Sequence, residues 1–165
     1  MANGVFLPVL GRVATYHDNV ANNSPSGAGL VCVLLKAAQA DADLEDYEDL
    51  ATLLAHASNT EADATDYTRQ TLLAADVTAV SIDTGESPPT ANATTTANFE
   101  FGVLGGATNN SLVKAIICYA ANPAGADSTF IPLCHYDFVV TTDGVLDITA
   151  KVPSAGYWLA YNYVA

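Results

Sequence analysis

Two nearly unbroken apolar runs, Leu30 to Leu35 (LVCVLL) and Leu112 to Tyr119 (LVKAIICY), constrain this chain more than any other feature. Neither is long enough to cross a bilayer, which takes about 20 apolar residues in a helix. Both are rich in β-branched residues, and turn-forming residues precede each, so they read as strands covered on both faces. Strands of that kind sit inside a sheet with further layers packed against it. The chain is therefore expected to be mainly β.

The segments between and around these strands support an antiparallel, mainly β single domain. YTRQTLL, VTAVSID and NFEFGVL are short period-two stretches beginning at Tyr67, Val77 and Asn98, and polar Thr, Ala, Asn and Pro residues separate them. YDFVVTTDGVLDITAKV reads as a hairpin turning at Asp143-Gly144, a dipeptide suited to tight turns between strands. One short amphipathic helix is expected over about 43–57, where Leu44, Tyr47, Leu50, Ala51 and Leu54 form one stripe. Asp43 can cap its start, and Glu45, Asp46, Glu48 and Asp49 fall where the helix dipole favours negative charge. Asn59 suits its end. Residues 1–29 read as an extended arm, VFLPVLGRVATYH, followed by the turn-rich loop ANNSPSGAG, and 30–165 as the β-rich domain. Within the latter, 84–98 (TGESPPTANATTTAN) reads as a long loop.

Charge narrows the partners. Eighteen acids stand against five dispersed basic residues, for a net charge of −13. Such a chain repels a phosphate backbone, so direct nucleic-acid binding is not expected. No apolar run suits a membrane span, and the start lacks the basic and apolar regions of a secretory signal, so synthesis in the cytoplasm is expected. Cys32, Cys118 and Cys134 lie in apolar surroundings without the paired spacing of zinc or redox sites, and they read as buried, reduced thiols.

The chemistry of catalysis is not written in the chain. GxSxG, P-loop, GxGxxG and HExxH patterns do not occur. Cys134 and His135 are neighbours, but adjacent strand residues point to opposite faces, so they do not form a nucleophile and base. The acidic run at 41–52 has Asp46 where a calcium loop needs glycine and Thr52 where it needs glutamate. No enzyme activity, cofactor or metal is expected. Arg69 and Lys114, inside otherwise uncharged strands, are expected to pair with Asp or Glu. The candidate contact residues are aromatic and apolar side chains near the two ends: Phe6 and Leu7, and Tyr157, Trp158, Tyr161 and Tyr163. Tyr and Trp are enriched in interfaces, and terminal segments stay ordered only when docked.

Two blocks, 34–72 and 112–144, carry Leu34-Leu35-Lys36, Asp46-Tyr47 with Leu50, Asn59-Thr60-Glu61-Ala62, Tyr67-Thr68-Arg69, Cys118-Tyr119 and Ile131-Pro132-Leu133-Cys134-His135-Tyr136-Asp137-Phe138. Together they resemble small structural proteins of tailed-bacteriophage virions. The resemblance implies an antiparallel β-sandwich-like single domain serving as a head accessory or decoration protein, made in the host cytoplasm and located in the virion. Its partners would be major capsid or tail proteins, and it would act as a homo-oligomer or lattice-bound subunit. A minor tail, neck or fibre-base protein is the alternative. A carbohydrate-binding module, drawn from the Tyr/Trp-rich end, is a second alternative that lacks a paired-carboxylate signature.

Overall fold

The structure is a computed structural model, and it describes residues 3–83, 90–151 and 158–160. Its centre is formed by the two apolar runs. Strand β2 (Gly29–Ala37) pairs antiparallel with β8 (Ser111–Ala120), in continuous register from Gly29↔Ala120 to Leu35↔Lys114. Leu30 to Leu35 are all buried, as are Ala115 to Ala120. The reason is the pattern itself: a strand apolar at every position leaves no face for water.

The sheet grows outward from this pair. β9 (Phe130–Thr141) joins the other edge of β8, and β1 (Asn3–Val5) joins β9. Both β3 (Thr60–Glu61) and β4 (Gln70–Leu72) pair with β2 along its remaining edge. Two smaller antiparallel sheets complete the β structure. One pairs β7 (Phe99–Val103) with β10 (Asp147–Ala150), and the other contains β5 (Ser81–Asp83), β6 (Thr90–Ala93) and β11 (Trp158–Ala160). The protein is thus mainly β and antiparallel, as expected.

Helices cover both faces of the large sheet. On β8, Lys114 and Ile116 project to one face and Tyr119 to the other, by simple alternation. Helix α1 (Val13–Ala21) lies over the second face, where the Tyr16 ring packs 4.9 Å from that of Tyr119. Helix α2 (Asp41–Leu44) lies over the first, because Asp41 reaches Lys114 from there. Helix α3 (Leu50–Ala55) packs against β9 and the turn at 127–129.

Several local expectations are corrected. The arm expected over 1–29 is not one extended piece: it contains β1, a 3-10 turn (Leu7–Val9) and α1. Val13, His17 and Val20, at helical spacing, are the buried side of α1. The single helix expected over 43–57 is divided into α2 and α3. Asp49 caps the second piece, accepting the Thr52 N–H at 2.9 Å, while the Glu45 carbonyl accepts the N–H of Leu7 at 2.8 Å. A competing cap and a partner from the N-terminal segment therefore divide the stripe. The expected 84–98 loop holds β6 over part of its length, and 84–89 lies outside the described residues. The turn at Asp143-Gly144 forms, but β10 pairs with β7 and not with β9. Gly144 donates its N–H to the Leu104 carbonyl at 2.9 Å, which steers the chain toward β7.

Candidate interaction surface

The β8–β9 pair has two ends. At the end near residues 111 and 141, three loops at 62–67, 104–110 and 142–146 are tied into one piece. Asn110 is the hub: its N–H donates to Thr142 Oγ1 at 2.8 Å, its carbonyl accepts the Thr142 N–H at 2.9 Å, and its side chain exchanges two 2.8 Å hydrogen bonds with Asp63. Thr65 links the first two loops, donating its N–H to Thr108 O and accepting that of Gly105. In the third loop, Asp143 Oδ1 accepts the N–H groups of Val145 and Leu146 at 2.8 and 2.9 Å. Gly144 has φ 77°, and a Cβ there would run into the backbone of Gly106, so only glycine allows this approach.

This hydrogen-bonded end presents apolar side chains to water. Val145 is 76% exposed and Leu146 57%, and the β7–β10 register places Val103, 46% exposed, opposite Asp147. The same loops and the residue after them carry exposed acids: Asp63, Asp66, Asp143 and Asp147. The hydrogen bond to Lys36, with that to Asn110, lowers the Asp63 carboxyl below the usual aspartate value, and Lys36 Nζ stands 2.6 Å from Asp63 Oδ2. The Leu146 and Val145 N–H groups lower that of Asp143. Sequence reasoning missed this surface, although two consecutive apolar residues directly after a turn dipeptide were its signal.

The polar residues within the large sheet form closed pairs instead. Arg69 donates to both oxygens of Glu61, each at 2.7 Å, and to both of Asp127, at 2.5 and 3.0 Å. Tyr67 adds a hydroxyl donor to Glu61 and accepts the Leu34 N–H. Lys114 Nζ bridges Asp41 and Asp137 at 2.6 and 2.5 Å. Burial pulls the lysine pKa down, but the two carboxylates together outweigh it and the net shift is upward. Both basic residues therefore pair with acids, as the sequence leads one to expect.

His135 stands two residues along β9 from Asp137, so it shares that face, and its Nε2 meets Glu45 Oε1 at 3.0 Å. The i, i+4 spacing of Asp41 and Glu45 matches a two-residue step along the strand, which lets one helix turn serve both contacts. Gly4 lies opposite His135 in β1, where a Cβ would collide with both Glu45 and the imidazole. Cys134 faces the other way. Burial pushes its thiol up to about 12 and raises those of Cys32 and Cys118 as well. All three cysteines are free and buried.

The terminal contact residues fall differently. Phe6 is fully buried, its ring edge-on to His135 at 5.9 Å, so it belongs to the core and not to a contact surface. Its N–H donates to the Leu133 carbonyl at 3.1 Å, which carries the pairing of β1 with β9 one residue further and holds the ring at the sheet. Leu7 is 50% exposed. Trp158 lies on β11 opposite Ala93, while Tyr157, Tyr161 and Tyr163 lie outside the described residues. An open groove of about 530 Å³ runs beside β4 and β7, lined by residues including Asp76 and Glu100. Among the described residues, no group of three or more His, Cys, Asp or Glu is placed to hold a metal ion, and no helix is long and apolar enough to cross a membrane.

Comparison with known proteins found no matching family model, curated protein or solved structure. The geometry therefore has to carry the functional reading.

Proposed function

We propose that the protein is a structural subunit of a tailed-phage virion, a head accessory or decoration protein that occupies a repeated site on the capsid and works by protein–protein contact. The observation that carries this reading is the three-loop end, where a hydrogen-bonded frame holds Val145 and Leu146 out in water, with the exposed Val103 opposite Asp147 on β7. A monomer gains nothing from ordering apolar side chains in solvent, whereas a docking surface gains from having them already in place. The sheet's own polar groups are engaged in closed ion pairs, which suits a subunit that contributes shape and surface. The phage-like stretches at 34–72 and 112–144 supply the virion setting.

The test is a reconstruction of the purified virion, with the protein located by labelling. Copies distributed over the head are expected. Absence from the particle would overturn the reading, and copies confined to the tail would replace it with the neck or fibre-base alternative.

A further inference from the structure

We infer that the end formed by loops 62–67, 104–110 and 142–146 docks onto a different protein, at an apolar recess rimmed by lysine and arginine, with Val145 and Leu146 entering the recess. The inference rests on the reading of this end as a docking surface and adds the chemistry of the partner.

Preorganisation is the first argument. The Val145 and Leu146 N–H groups are both held by one Asp143 oxygen, and Gly144 is fastened to Leu104, so the turn that turns both side chains outward is set before any encounter. Docking then costs little ordering entropy. Charge complementarity is the second argument. Asp63 and Asp66 in the first loop, Asp143 in the third and Asp147 directly after it are all exposed, and Lys36 pairs with Asp63. An acidic rim around an apolar centre is complemented by a basic rim around an apolar recess.

The same charges argue against other occupants. A second copy meeting through this end would set the two acidic rims against each other. Nor does the chain offer a basic rim elsewhere among the described residues: Arg69 and Lys114 are each held by two carboxylates, Arg12 donates to Pro8 O and lies over the Tyr16 ring, and the exposed Lys151 is a single charge and not a rim. Nucleic acids and anionic lipid surfaces would be repelled.

The test places a photo-crosslinking amino acid at position 145 of the full-length protein, made in the cells that naturally produce it. A control carries it at Thr52 on α3, which packs by the 127–129 turn at the other end of the β8–β9 pair. The crosslinked peptide is identified by mass spectrometry, and the purified partner is titrated with wild type and with V145S/L146S. Expected are an adduct from position 145 to a peptide of another protein that carries Lys or Arg beside apolar residues, and an affinity that falls with salt. The double variant, folded by circular dichroism, should bind about tenfold more weakly or worse. No adduct from position 145, an adduct to a second copy, a contact peptide without Lys or Arg, or unchanged affinity of V145S/L146S would each overturn the inference. A partner that meets every criterion but is not a virion protein would refute the virion reading alone. A virion reconstruction with this end pointing into solvent would refute the docking inference alone.

Discussion

Arg69 shows how much one side chain holds in this sheet. Its guanidinium grips Glu61, beside β2, and Asp127, in the turn before β9, so one residue joins segments far apart in the chain. The side chain is 26% exposed, so the cluster is worth less than a fully buried network. Arg69→Ala is expected to cost about 2 kcal/mol, and Arg69→Lys to recover only part, since an ammonium cannot make two planar forks. Acid should reveal contributions in two stages, one from carboxylates and one from a histidine. The hydrogen bond from Arg69 lowers the Asp127 carboxyl below the usual aspartate value, so its contribution is present above that value and lost as pH falls through the lower, folded value. Burial lowers the His17 imidazole, whose Nε2 lies 2.6 Å from Thr78 O. The unfolded chain then takes up that proton first, and stability declines as pH falls from the usual histidine value toward the folded one. Urea midpoints across a pH series should show both stages in wild type. His17→Gln should lose the stage nearer neutrality, and Arg69→Ala should shrink the more acidic one to what Asp63 and Asp143, also held below the usual aspartate value, contribute. A wild-type profile that stays level through both ranges would contradict the assignment.

The helical stripe from Leu44 to Leu54 is continuous by spacing, yet the chain makes two short helices from it. Between them Tyr47 donates its hydroxyl to Gln39, and Asp49 turns its side chain onto Thr52 N–H. Asp49 is therefore the start signal of α3 and not a residue in the middle of a longer helix. Asp49→Ala should destabilise the protein by about 1 kcal/mol, the usual worth of such a cap. Thermal unfolding of the variant beside Glu48→Ala checks this: equal losses would mean that Asp49 acts only through its charge. The Asp143-Gly144 turn offers a related lesson. Its dipeptide predicts a reversal correctly, but the strand that follows finds β7, because the turn's own N–H groups are committed to Asp143 and Leu104.

Across the whole molecule, the three thiols report on the integrity of the core. Cys32 and Cys134 share the α1-covered face of the sheet through their register with Ile117, and Cys118 projects to the other face. All have raised pKa values because burial opposes the thiolate, so they are both inaccessible and weakly nucleophilic. A thiol reagent should label none of them in the native protein and all of them in denaturant. Rapid native labelling of any one would show that its strand opens locally.

What the sequence determined by itself was whatever depends on a single segment: β2 and β8 as core strands, the buried thiols, the dominance of antiparallel β structure and the reversal at Asp143-Gly144. Burial and turn propensity are properties of a short stretch, legible from its own pattern. The pairing of Arg69 and Lys114 with acids was also legible, because a charge inside an apolar strand needs compensation, but the identities Glu61, Asp127, Asp41 and Asp137 were not. Tertiary structure alone decided those partners, the break between α2 and α3, the burial of Phe6, the pairing of β10 with β7 and the assembly of the loop end around Asn110. Each depends on a contact between residues distant in the chain, whose energy exists only once both are in place and is written in neither segment alone.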